Sequence, residues 1–159
     1  MKILPFAIAG LLLATGCSSA QTKLAVSDDV PASVCRPANT SGEFLVAMNY
    51  LHNEGKTPAE ITKVELDDPT NLKLQGFGII SNEEVGTRGA GGDLQLDTNR
   101  VIAVGDTAAI QVELGLNNTT EPGTAKSLKV TYNNPDEKDT ASLTMMTTLE
   151  VLPAGQTCK

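Results

Sequence analysis

The stretch AAIQVELGL, residues 108–116, decides the fold class. Ile110, Val112, Leu114 and Leu116 recur at every second position, with Gln111 and Glu113 between them. Side chains of an extended chain point alternately to its two faces, so this pattern predicts a half-buried β-strand. The same period runs outward along the chain. Leu128, Val130 and Tyr132 alternate in SLKVTY, and Leu143, Met145, Thr147, Leu149 and Val151 alternate against Ser142, Thr144, Thr148 and Glu150.

Between these runs lie pieces rich in Asn, Asp, Gly and Pro: residues 52–58 (HNEGKTP), 67–71 (DDPTN) and 133–136 (NNPD). Such residues favour turns because they tolerate positive φ, preset φ, or bond to their own backbone. No segment carries an apolar stripe at the helical period, and the many threonines and valines favour strands. The spacing predicts an all-β, antiparallel two-sheet sandwich formed as a single domain from residue 35 to residue 159.

Three segments carry a resemblance. FLVAMNYLHNEGKTPAEITKVEL (residues 44–66), VIAVGDTAAIQVEL (101–114) and AKSLKVTYNNPD (125–136) resemble bacterial immunoglobulin-like domains. The shared features are a strand ending at Asn-x-Gly, a turn reaching proline, an Ile-x-x-Val strand, a Gly-Asp turn and a late Val-x-Tyr strand. The resemblance spans most of residues 43–151 and implies an immunoglobulin-like sandwich. Function does not follow from a fold shared this widely.

The N-terminus has a different character. Lys2 is followed by an apolar run from Ile3 to Gly16, shorter than the ~20 residues that cross a hydrocarbon core. A positive start, an apolar centre and the small residues Ala14-Thr15-Gly16 have the three-part layout of a secretory signal. Leu13-Ala14-Thr15-Gly16-Cys17 then resembles the lipobox of bacterial lipoproteins, with Ala14 where leucine is commoner. The resemblance implies removal of residues 1–16 and attachment of lipid, including palmitate-type acyl chains, at Cys17. An ordinary signal cut near Ala20 and an uncleaved anchor are the other readings. Residues 17–34 are small, polar and proline-containing and read as a flexible tether, reaching roughly 60 Å extended or about 23 Å as a coil.

With Cys17 set aside for lipid, Cys35 and Cys158 remain, bracketing the patterned region. In an oxidising compartment they are expected to form a disulfide, two free thiols being the alternative. Localisation is expected on the extracytoplasmic side of the cell membrane or outer membrane, held by lipid. Ser18 after the cysteine, in place of aspartate, implies outer-membrane sorting in a two-membrane cell by the same resemblance. Formal charge is 12 basic minus 19 acidic groups, or −7. An acidic chain without basic clusters is a poor nucleic-acid binder and is not drawn to anionic lipid by its own charges.

Little in the sequence points to catalysis. His52 is the lone histidine, next to a turn, and neither GxSxG nor HExxH occurs, so no catalytic residue is assigned and no enzyme is expected. Met48 and His52 share strand parity, and with Met145 and Met146 they form a set of thioethers and imidazole suited to Cu(I); methionines at alternating positions are more often core. Asp67-Asp68, Glu83-Glu84 and Asp93 with Asp97 lack EF-hand spacing and read as solvated charge, so no metal or cofactor is expected. Residues 81–100 include Gly89-Ala90-Gly91-Gly92 without the lysine of a phosphate-binding loop. This segment reads as a long loop, and Glu83, Glu84 and Arg88 are its candidate binding contacts. Tryptophan is absent, which disfavours sugar stacking. The expected function is a lipid-anchored protein-binding or scaffolding module acting on another envelope protein; the alternative is a lipoprotein handling a small ligand or copper.

Overall fold

In the computed structural model, the described residues are 22–27, 32–81 and 98–159. They form an all-β sandwich of eleven strands, and no helix occurs among them. In chain order these are β1 (Leu24–Val26), β2 (Ala32–Pro37), β3 (Glu43–Asn53), β4 (Ala59–Asp67), β5 (Leu72–Ser81) and β6 (Val101–Ile102). They continue with β7 (Thr107–Leu116), β8 (Gly123–Ala125), β9 (Ser127–Asn133), β10 (Thr140–Met145) and β11 (Thr147–Leu152). One four-stranded sheet has the order β1-β3-β7-β5 and a second the order β10-β9-β4-β6. A three-stranded sheet, β2-β11-β8, continues the second beyond the breaks at Lys126 and Met146. All pairings are antiparallel except that of β2 with β11.

AAIQVELGL forms the inner strand β7, flanked by β3 and β5. Its Ile110, Val112, Leu114 and Leu116 join one apolar cluster with Ile61, Val64, Leu128 and Val130 of the facing sheet. Removing that surface from water is the main favourable term holding the layers together. Gln111, expected on the solvent face, is 0 % exposed. Glu113, next on the same face of β7, is only half-buried.

The alternation of the last segment survives in Met145, Thr147, Leu149 and Val151, all buried. The strand itself breaks at Met146, which is 61 % exposed, and changes partner there from β9 to β2 and β8. The predicted turns fall where expected, after Asn53, Asp67 and Asn133. In the last of these Asn134 Oδ1 accepts from the Asp136 amide at 3.2 Å, the bond that makes asparagine a turn former.

The stretch read as tether, 17–34, is shorter than expected. Leu24–Val26 pair with Leu51–Asn53 of β3, and Ala32–Cys35 lie within β2, parallel to β11. Neither piece is long enough to show a period on its own; each becomes a strand by completing the ladder of a longer neighbour. The folded unit therefore begins at least as early as Thr22.

The strands also define two ends. The first collects Thr22–Lys23, residues 54–58, the 103–106 turn and the 134–139 turn. The Asn53 amide donates to the Asp106 carbonyl at 3.0 Å, and the Glu54 amide to that of Lys23 at 2.9 Å. Asn53, fully buried, fastens this end: Nδ2 donates to the carbonyls of Thr57 (2.9 Å) and Ile102 (3.0 Å), and Oδ1 accepts from the Gly55 amide at 2.9 Å. The opposite end holds residues 38–42, 68–71 and 117–122. At the β5/β4 edge the Asn99 and Arg100 carbonyls accept from Ile79 and Ile61, bridging the two sheets. The Arg100 guanidinium lies 4.3 Å from the centre of the Phe77 ring, a favourable cation–π contact.

Candidate functional site

The cysteines are the clearest case of residues far apart in sequence brought together. Cys35 of β2 and Cys158 of the C-terminal segment form a disulfide, with Cα atoms 5.9 Å apart and 123 residues of separation. Their meeting follows from the parallel register, in which Cys35 lies opposite Glu150 and Pro37 opposite Leu152. The chain needs only the short turn after Leu152 to return Cys158 to the side of β2. Cys17 lies outside the described residues.

Among the described side chains, His52, Met145 and Met146 are not gathered. β3 carries a bulge between Ala47 and Tyr50, where one extra residue faces β7. Before it Phe44 and Val46 pack against the core; after it Leu51 and Asn53 are the buried positions. The alternation is thus reversed across the bulge. The side chain of Met48, expected to share a face with His52, lies outside the described ones. His52, near the end of β3 and next to the turn as expected, has Nδ1 2.9 Å from Thr107 Oγ1 across the β3–β7 pair, and it is half-buried.

Met145 is 0 % exposed in the common core, and Met146 beside it points the other way into solvent. Met145 pairs with Leu128, four residues along β9 from Tyr132, whose hydroxyl reaches the Leu24 amide near His52. Four residues of strand correspond to about 13 Å. Among the described residues no group of three or more His, Cys, Asp or Glu side chains is placed to hold a metal ion.

The acidic pair at 67–68 is engaged locally. Asp67 Oδ2 accepts from Ser127 Oγ at 3.3 Å, and Asp68 forms an ion pair with Lys126, whose ammonium pKa is raised by that hydrogen bond. Glu83, Glu84 and Arg88, with Asp93 and Asp97, lie outside the described residues. The chain leaves β5 for that segment at Ser81.

Sequence reasoning missed the cluster where the chain enters the fold. Lys23 Nζ donates to Glu54, which raises the lysine pKa and lowers that of the carboxyl, chiefly through the hydrogen bond itself. Thr22 and Thr57 hydroxyls meet at 2.8 Å, and the Leu24 amide donates to Tyr132 Oη at 3.3 Å. Only the nearby Asn-x-Gly turn signalled this place in the sequence.

No protein-family model matches the chain, and no curated protein matches it. Among solved structures, a family 123 glycoside hydrolase from Clostridium perfringens is similar over 77 % of this chain, at 12 % identity and a TM-score of 0.38. The secreted serine protease VesC from Vibrio cholerae is similar over 84 % of it, at 6 % identity and a TM-score of 0.33. This chain spans 23 % of the length of each.

Proposed function

We propose that the protein is a lipid-anchored lipoprotein of the cell envelope, whose immunoglobulin-like sandwich serves as a non-enzymatic binding or scaffolding module for another envelope protein. One observation carries most of the weight: of three cysteines, Cys35 and Cys158 bond to each other, leaving Cys17 of the lipobox-like LATGC as the single thiol for acylation. A disulfide across the domain also suits an oxidising compartment outside the cytoplasm.

The strand order supports the immunoglobulin-like reading. Lettering β1, β3, β4, β5, β7, β9 and β10 from A to G gives sheets A-B-E-D and G-F-C, the arrangement of seven-stranded immunoglobulin domains, with β6 as an added edge piece. Lipid attachment follows simple arithmetic: at ~0.8 kcal/mol per buried CH₂, one acyl chain binds a bilayer marginally and two or three bind it stably.

Mass spectrometry of the mature N-terminus tests the anchor, which predicts a chain starting at an acylated Cys17; an unmodified Cys17 or a different start overturns it. Crosslinking in whole cells followed by capture tests the binding role. Enrichment of a defined envelope protein over an unrelated lipidated control supports it, and no enrichment counts against it.

A further inference from the structure

The strand β1 changes what a lipid at Cys17 would do to the domain. We propose that the end of the sandwich carrying the 54–58 and 103–106 turns rests on the bilayer surface to which Cys17 is attached, while the 117–122 end points away. This inference rests on the lipid-anchor reading of Cys17 and adds an orientation to it.

Three observations converge on that end. First, the link is short. Only four residues separate Cys17 from Thr22, five steps of chain with a span of at most about 18 Å, against roughly 60 Å had residues 17–34 been a free tether. Second, the chain is fastened where it arrives. Lys23 pairs with Glu54, Thr22 meets Thr57, and β1 adds three register pairs with β3, so the link pulls on this end and no other. Third, the surface there is suited to the bilayer interface. Val101, Val104 and Met146 are the large apolar side chains left exposed among the described residues. Val104, 50 % exposed, lies in the 103–106 turn, and Val101, 41 % exposed, lies one short strand behind it.

Charge does not supply the attraction. Lys23 is already held by Glu54, and in the neighbouring turns Lys56 and Lys138 are outnumbered by Asp106, Asp136, Glu137 and Asp139. The occupant is therefore the lipid surface reached through the acyl chains, with Val104 entering the interface and no requirement for anionic headgroups.

The full-length protein, matured in cells, can be made with a photo-crosslinking phenylalanine analogue in place of Val104 or, at the far end, of Glu121. Reconstituted in phosphatidylcholine vesicles and irradiated, it should give phospholipid adducts at position 104 and few or none at 121. β3 alone, eleven residues long, separates the two ends by about 35 Å. A 20-residue Gly/Ser insertion between Ala20 and Gln21 should lower the adduct at 104 by about tenfold, as effective concentration falls with the three-halves power of link length.

Intact mass of the same samples reports acylation of Cys17. Equal adducts at 104 and 121, or a yield at 104 unchanged by the insertion, in protein that is acylated, overturns the orientation alone. Absence of acyl chains overturns the anchor reading and the orientation with it.

Discussion

Asn71 shows how much one side chain can hold at a turn. Its backbone sits at φ 52°, where asparagine is tolerated and most residues are strained. Its Nδ2 donates to the carbonyls of Asn118, Glu121 and Pro122, and its Oδ1 accepts from the Asn118 amide at 2.7 Å. Asn71→Ala loses these bonds and keeps the strained backbone, and should destabilise by about 2–3 kcal/mol in urea unfolding. Asn71→Gly loses the same bonds but relieves the backbone, so its loss should be about 1 kcal/mol smaller. Equal losses in the two variants would show that backbone strain plays no part. Gly123 lies against the same residue: a Cβ there would come within 2.9 Å of the Asn71 carbonyl oxygen and 2.7 Å of Leu116 Cδ2. Because a backbone atom cannot swing aside, Gly123→Ala should displace β8 and lower stability by about 1–3 kcal/mol. Asn71 was legible as a turn former in DDPTN, but which carbonyls it would bind was not, since those lie 47 to 51 residues away.

At the scale of the element, β1 is the piece whose attachment matters most. It is three residues long and bonds to β3 on one edge only, so local opening should be far easier there than in β7. The Lys23–Glu54 pair adds a pH dependence with a defined sign. The Glu54 carboxyl has its pKa lowered in the folded state, so its contribution is present above the unfolded carboxylate pKa and is lost as pH falls through the folded one. Lys23, with its pKa raised, loses its contribution only as pH rises through the folded value. Both groups are exposed, so global stability should change little. Hydrogen exchange at β1 amides is the sensitive measurement. Normalised to the intrinsic rate at each pH, it should speed up on acidification in the wild type and be fast already at neutral pH in Glu54→Gln. Unchanged protection in that variant would mean that the ladder and the Tyr132 hydroxyl hold β1 without the ion pair.

For the molecule as a whole, the disulfide is the longest-range constraint. Closing a loop of 123 residues contributes about 4–5 kcal/mol on the chain-entropy model. Cys35→Ser with Cys158→Ser should therefore lower the thermal midpoint by on the order of 15–20 °C while leaving the far-ultraviolet signature of strands in place. A midpoint unchanged by the double substitution would show that the parallel β2–β11 ladder suffices to hold the chain ends. The pairing was legible from a count of cysteines and their positions, because an oxidised pair at the margins of one patterned region leaves few choices. Its geometric cause was not: β2 reads as featureless in ASVCRP, and it is a strand only because β11 offers it a parallel edge.

The sequence by itself determined the class of fold, the positions of the main turns, the inward face of β7, β9 and β11, and the residues able to form a disulfide. Each of these depends on local chemistry: a two-residue period, residues that tolerate turn dihedrals, and thiols. Tertiary structure decided what depends on neighbours. It buried Gln111 on the outward face of β7, reversed the faces of β3 at its bulge, and put Met145 and Met146 into opposite surroundings. It also drew Leu24–Val26 out of an apparent tether and onto β3. A strand this short has too few side chains to declare itself; its backbone groups find partners only once β3 stands beside it, and that contact fixes the end of the sandwich from which the N-terminal link departs.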